Sequence, residues 1–346
     1  MKALFLGLGG VGQRHLRNLL RIDPGVRLAA VRHTDRAFEI GYDLQPDYSV
    51  DIMEKYRIAR MASLPEAIEW GPDMAVIASP TSSHVDQAAA LLEAGVPVFL
   101  EKPVSVDEAG LDRLLQLRKA ADVPLMVGYM FRFHPGVRRF MELVAQHAVG
   151  RPHSMHVQLN SYMPSWHSYE NYNEFYAGRS DLGGGAVLSE IHEIDLLHAM
   201  FGAPGRVFAS GGRLSGLDMD VEDTACALLE FSSGKSPLPV TLQMSFVQRP
   251  PTRAMTLYGE RGTIRWEGMT SRVTVHDVEE GLQEEDFSHY ERNQMFVDEL
   301  AHFIDCLRRG SSPLTDLDRV ADGHRIALRI KNALAVGSAE PFVTGP

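Results

Sequence analysis

The chain has 346 residues, 45% hydrophobic and 23% charged, which excludes a disordered or fibrous protein and gives length for two cores of ordinary size. Acidic residues outnumber basic ones, 45 to 34, and the formal charge of -11 argues against nucleic acid as a partner. No apolar run approaches a membrane span of about 18 residues, and no basic flank with an apolar stretch and cleavage site opens the chain, so a cytoplasmic protein without a membrane partner is expected.

The first element is an apolar strand, Ala3-Leu4-Phe5-Leu6, which runs into the turn Gly7-Leu8-Gly9-Gly10-Val11-Gly12 and then into a helical pattern from Gln13. Strand, G-x-G-x-x-G and helix in this order are the context of a dinucleotide site. Gly7 allows the tight turn, Gly9 lets backbone approach a pyrophosphate, Gly12 lets helix pack closely on strand, and Gly10 and Val11 bring helix N–H groups to the phosphates. Residues 27–32 read as the second strand. Its end, Arg32-His33-Thr34, lacks the acid that would hold a ribose 2′-hydroxyl, and Asp35 comes two residues late. Arg32 carries a planar donor fork suited to a 2′-phosphate, with His33 beside it, so NADP is favoured over NAD. The alternative leaves Arg32 on the surface and has Asp35 reach the ribose.

Strand patterns at 74–78, 98–100 and 124–127 alternate with helical patterns at 84–94 and 107–121, as βαβ units require. Residues 1–125 are therefore expected to form a doubly wound α/β Rossmann domain on a parallel sheet. Such sheets bind ligands at the carboxyl edge of their strands. Ser79, Pro80 and Thr81 follow one strand there, with His84 opening the next helix, and Glu101-Lys102-Pro103 follow another. A lysine desolvated at that edge can donate a hydrogen bond or proton to a substrate oxygen, and Pro103 keeps Lys102 extended.

Beyond Arg132 the pattern changes. A helix over 133–147, beginning at Pro135, precedes seven short β-rich runs at 152–160, 207–212, 223–231, 240–246, 253–258, 262–266 and 272–276, with a helix at 186–200 inserted. Amphipathic helices at 293–308 and 317–335 close the chain, and the acidic stretch 277–291 reads as a solvated edge or loop. Residues 126–346 are expected to form an α+β domain with a large, mostly antiparallel open sheet, whose C-terminal helix can pack back on the first domain. Cys226 and Cys306 accompany no C-x-x-C or Cys/His cluster and read as buried thiols, and no metal site is expected. The aromatic segment 162–172, with Trp166 and Tyr172, suits a polyhydroxylated small molecule or, equally, a subunit contact. Arg132 and His134 are expected to face the cleft.

The glycine turn, Glu101-Lys102-Pro103 and Gly128-Tyr129-Met130-Phe131-Arg132-Phe133-His134-Pro135, followed by Gly183-Gly184-Gly185-Ala186-Val187-Leu188 and Ile191-His192-Glu193-Ile194-Asp195-Leu196, resemble the glucose-fructose oxidoreductase and inositol dehydrogenase (Gfo/Idh/MocA) family. Val221-Glu222-Asp223-Thr224 and Gly259-Glu260-Arg261-Gly262-Thr263-Ile264 extend the resemblance over most of the chain. It implies a nicotinamide cofactor, oxidation or reduction of a sugar, aminosugar or cyclitol carbon, and a homodimer or homotetramer through the open sheet. Lys102 and His192 match the family's catalytic pair, and Tyr129, Arg132, Trp166, Tyr172 and Asp195 are assigned to the substrate. An unperturbed imidazole suits a base at neutral pH. The aspartate that many members carry three or four residues before the histidine is replaced by Ser189 and Leu188. On a continuous helix Asp195 would share the face of His192, whereas Glu190 and Glu193 would point elsewhere. Two other readings are glycoside cleavage through transient oxidation and a non-catalytic cofactor-sensing regulator.

Overall fold

Alternating strands and helices of the first third form a six-stranded parallel sheet in the computed structural model, which describes residues 1–32, 38–167, 169–234 and 236–336. In chain order the strands are β1 (Lys2–Leu6), β2 (Arg27–Val31), the small hairpin β3 (Phe38–Ile40) and β4 (Pro46–Asp51), then β5 (Ala59–Met61), β6 (Met74–Ile77), β7 (Val98–Glu101) and β8 (Leu125–Gly128). Leaving the hairpin apart, their order in space is β5-β2-β1-β6-β7-β8. This is the doubly wound sheet expected, and β5 is the third strand that no strong sequence pattern marked.

Period-two alternation sorts β1 cleanly: Ala3 and Phe5 enter one core, Leu4 and Leu6 the other. Helix α1 (Gly10–Ile22) covers the first side with Leu16 and Leu19. Two short helices follow, α2 (Ile52–Lys55) and α3 (Leu64–Glu69), and then α4 (His84–Glu93) and α5 (Glu108–Ala121) cover the other side. Because all six strands run the same way, Gly7, Arg32, Ser79, Lys102 and Tyr129 all follow strand ends at one edge.

Helix α6 (Pro135–Ala145) leads into an eight-stranded sheet built from β9 (Pro152–Tyr162), β10 (Arg206–Gly212), β11 (Thr224–Ser233), β12 (Ser236–Ser245), β13 (Val247–Gly259), β14 (Gly262–Glu267), β15 (Arg272–Asp277) and β16 (Gly281–Asp286). The order is β10-β11-β12-β9-β13-β14-β15-β16, antiparallel throughout except for the β12/β9 pair. The seven expected runs are all strands. The acidic stretch adds the eighth, an edge strand whose exposed carboxylates discourage further pairing. Helix α6 packs on β14 and β15. The other face is bare in the single chain: on β11 Ala225, Ala227 and Leu229 are buried, while Cys226 and Leu228 between them are exposed. Cys226 is thus not the buried thiol expected, because its strand position turns it outward; Cys306 is buried.

The helix expected over 186–200 is two helices, α7 (Ala186–Ser189) and α8 (His192–Phe201), separated where Glu190 leaves helical geometry at φ -103° and ψ 31°. Helix α9 (Arg292–Arg309) returns to α1, where Leu300, Phe303 and Ile304 complete the core beside Leu16, Leu19 and Phe99. Helix α10 (Leu317–Val336) packs on α5, α8, β8 and β10, touching both sheets. Among the described residues no helix is long and apolar enough to cross a membrane.

Candidate active site

A cavity of about 940 Å³ lies at the carboxyl edge of the parallel sheet, running from the glycine turn to β13 and the start of α9. Gly7 has φ +96°, and a Cβ there would lie 2.5 Å from the Ala78 carbonyl oxygen. Gly12 does not line the cavity; its Cβ would lie 2.3 Å from the Gly7 carbonyl oxygen, so it is required by packing. Gly9 is different. Its φ is -72°, which any residue adopts, and no atom lies within 4 Å of a Cβ built there. The fold does not demand glycine at this place, but a ligand backing onto the turn does. Helix α1 starts at Gly10 without a side-chain cap, so N–H groups of its first turn remain available to an anion, and Gly10 and Val11 line the space in front of them. These features fit the pyrophosphate of a dinucleotide.

Arg32 lines the cavity where β2 ends; His33 and Asp35 lie outside the described residues. Ser79, Pro80 and Thr81 line it too, but His84 does not. The buried His84 ring sits 2.8 Å from the Pro103 carbonyl oxygen and 2.9 Å from that of Ser79, so it ties two loops together from behind instead of touching a cofactor. Glu101 lines the wall with its carboxylate already engaged: His15 Nε2 is 2.6 Å from one oxygen, and the Lys102 backbone N–H donates to the other at 3.2 Å. Glu299 completes the one group of His and Glu side chains among the described residues that is close enough to hold a metal. Its two oxygens are buried without a partner, and burial together with the Glu101 charge pushes its carboxyl well above the usual range.

Lys102 Nζ donates to the Ser189 carbonyl oxygen at 2.6 Å. The break between α7 and α8 is what frees that carbonyl, so the residue standing where the family aspartate is expected still meets Lys102, through its backbone. Burial pulls the ammonium down, but Tyr176, Glu101 and Glu190 outweigh it and hold the lysine above its ordinary value. It is a charged hydrogen-bond donor.

His192 is the first residue of α8 and lines the same end of the cavity, its ring 5.2 Å from Phe131 and edge-on to Tyr129. Burial, then the charges of Lys102, Arg253 and Arg292, lower its pKa well below the ordinary imidazole value, so it is neutral. Two buried ion pairs fix α8 just after it. Glu193 accepts from Arg253 Nε and Nη2 at 2.6 and 3.0 Å, and Asp195 accepts from Arg132 Nε and Nη2 at 2.6 and 2.9 Å.

Four assignments to the substrate are therefore corrected. Arg132 and Asp195 do not line the cavity, because each is spent on the other. Tyr129 is buried behind His192. Tyr172 accepts from the Asp218 N–H and lies off the wall, while Trp166 lines it and donates through Nε1 to Ser161. Conversely, the wall includes Glu190, Arg253 and Arg292, which the sequence did not single out. Glu190 was placed on the wrong face by the assumption of one continuous helix; the two arginines arrive from β13 and α9, and no local signal announces them. His134, expected in the cleft, lines it and is neutral down to about 4, through burial and then the Arg253 charge.

Residues 1–129 match an oxidoreductase family with an NAD-binding Rossmann fold, and residues 137–265 match the GFO/IDH/MocA C-terminal domain. The chain belongs to the GFO/IDH/MocA family. Within it, the chain is 26% identical to myo-inositol 2-dehydrogenase of Thermotoga maritima over 324 residues, 90% of each protein. It is 24% identical over 339 residues to scyllo-inositol 2-dehydrogenase (NAD(+)) of Bacillus subtilis, covering 92% of this chain and 90% of that protein. The fold is that of an oxidoreductase from Agrobacterium radiobacter solved with NAD+, L-tartaric acid and magnesium, at TM-score 0.80, 18% identity and 97% coverage of both chains.

Proposed function

We propose that this GFO/IDH/MocA protein is an NAD(P)-dependent dehydrogenase or reductase acting between the carbinol and carbonyl states of a sugar, aminosugar or cyclitol carbon. One observation carries the reading: Lys102, from the edge of the parallel sheet, and His192, from the head of α8, meet at one end of the cavity that begins at Gly9. When bound there, the nicotinamide supplies the acceptor or donor of a hydride. In the oxidative direction His192, neutral at working pH, takes the hydroxyl proton, and the Lys102 ammonium holds the same oxygen and stabilises the negative charge that develops on it. In the reductive direction the proton returns from His192 to the oxygen. Buried Tyr129 and Phe131 behind the imidazole limit the water that competes for that proton.

We infer NADP as the preferred cofactor, because Arg32, with its planar donor fork, follows β2 on the cavity wall. The inositol dehydrogenases among its relatives lend support to a cyclitol or sugar substrate. The bare face of the second sheet is the surface we assign to a second copy of the chain, to be tested by light scattering.

The experiment is incubation of the protein with NADP or NAD and a panel of sugars, aminosugars and cyclitols, following absorbance of the reduced nicotinamide. Net reduction supports the proposal. Glycoside cleavage without net reduction would replace it with the transient-oxidation reading, and cofactor binding without turnover of any substrate would replace it with a regulatory one.

A further inference from the structure

Glu190 enters no step of that reaction, yet it is rooted between the two residues that do. The Ser189 carbonyl that accepts from Lys102 Nζ at 2.6 Å belongs to the same peptide group as the Glu190 N–H, which donates to the Ala186 carbonyl oxygen at 3.0 Å. That peptide is held from both sides, and the Glu190 side chain leaves the backbone directly after it. Ile191 follows, wholly buried in the core, and His192 comes next, so that Glu190 and His192 flank it and both line the cavity. The break between α7 and α8 thus sets a carboxylate residue at the end of the cavity where Lys102 and His192 meet.

Glu101, Glu193 and Asp195, the acids beside it, are each engaged: Glu101 with His15 and the Lys102 N–H, Glu193 with Arg253, Asp195 with Arg132. Among the described residues no hydrogen bond or ion pair engages the Glu190 carboxylate, and its oxygens, unlike those of Glu299, are not sealed in the core. Burial raises its carboxyl above the ordinary value, against the charges of Arg253, Lys102 and Arg292, as for an acid that has lost water without gaining a donor. A half-buried carboxylate on the wall of a binding cavity is stabilised by a donor on the ligand. Lys102 and His192 take the reacting oxygen, so that donor belongs to a neighbouring atom, and on a sugar or cyclitol the adjoining carbon carries a hydroxyl. A ligand ammonium would also match the carboxylate, but it would meet the charged Lys102 beside it.

We propose that Glu190 selects a vicinal diol, its carboxylate accepting from the hydroxyl on the carbon next to the one that Lys102 and His192 face. The placing of the reacting carbon rests on the dehydrogenase reading above; recognition of the hydroxyl is measurable by binding alone.

The test takes the polyol turned over best, or bound best if none is turned over. It is compared with its monodeoxy analogues and with analogues carrying an amine in place of each hydroxyl, on the cofactor-saturated full chain and on Glu190→Ala and Glu190→Gln. Both kcat/KM and calorimetric affinity are read, and the oxidised product identifies the reacting carbon. Removing the adjoining hydroxyl should cost the wild type about tenfold to a hundredfold, the worth of a hydrogen bond to a charged group. Glu190→Ala should abolish most of that difference, whereas Glu190→Gln, which keeps the shape and an acceptor oxygen, should keep part of it. A wild type that singles out no monodeoxy analogue, a Glu190→Ala loss equal for the polyol and every deoxy analogue, an amine preferred to the hydroxyl, or no binding of any polyol would each overturn the assignment. A Glu190-dependent preference for one hydroxyl in affinity, without oxidation of any ligand, would uphold it and overturn the dehydrogenase reading instead.

Discussion

Asp195, which shares the face of His192 on a continuous helix and is given to the substrate in the sequence reading, has a structure that predicts a different phenotype. Its carboxylate is 1% exposed and accepts from Arg132 Nε at 2.6 Å and Nη2 at 2.9 Å, and its carbonyl accepts from the same Nη2 at 3.2 Å. Asp195→Ala removes both side-chain acceptors and leaves a guanidinium that is 13% exposed without its counter-charge. Stranding a buried charge costs about 3–5 kcal/mol, a fall of roughly two to four decades in the folded-to-unfolded ratio. Changing Arg132 as well, to give Arg132→Met with Asp195→Leu, should recover most of that loss, because the paired variant buries no lone charge. Urea unfolding of the two single variants and the double variant measures this, with KM for an oxidised polyol determined under native conditions. An Asp195→Ala protein of unchanged stability and sharply raised KM would refute the reasoning and return Asp195 to the substrate.

Two further changes test other parts of the site. Arg32→Ala should weaken NADP by at least about tenfold more than NAD, as expected for loss of a charge-assisted contact; equal effects on both dinucleotides, by fluorescence titration, would remove the 2′-phosphate assignment. Glu299 is fully buried with its pKa raised by burial and by Glu101. Once pH exceeds the unfolded carboxyl value of about 4.3, the unfolded chain releases the proton that the folded one keeps, so stability falls by up to about 1.4 kcal/mol per pH unit until the folded pKa is passed. Glu299→Gln should therefore gain stability over the wild type increasingly between about pH 5 and pH 7, by up to about 1.4 kcal/mol per unit, and parallel unfolding curves at both pH values would contradict this.

How much of the site could be read in advance follows from how each residue reaches it. The glycine turn, Ser79 to Thr81 and Lys102 directly follow strands of one parallel sheet, so a local pattern of apolar run and turn was enough to put them at a common edge. His192 was legible through its motif. Asp195 and Tyr129 were misassigned because a spacing rule cannot see a partner 63 residues away, nor a ring packed behind the imidazole. The interruption at Glu190 carries no proline or glycine of its own, and what stabilises it, the Lys102 ammonium on the freed Ser189 carbonyl, is a tertiary contact. Arg253 and Arg292 depend on the register of β13 and on the return of α9 to α1, and neither is written near the residues it joins.

The most direct measurement is label transfer from a polyol deuterated at the reacting carbinol, followed by mass spectrometry of the nicotinamide product in the wild type, Lys102→Ala and His192→Ala. Deuterium should appear on the nicotinamide with the wild type, and transfer should fall by roughly 10²–10⁴ in each variant with cofactor affinity retained. Wild-type transfer rates in either variant, or no transfer from any polyol oxidisable at a carbinol, would contradict the assignment of this pair.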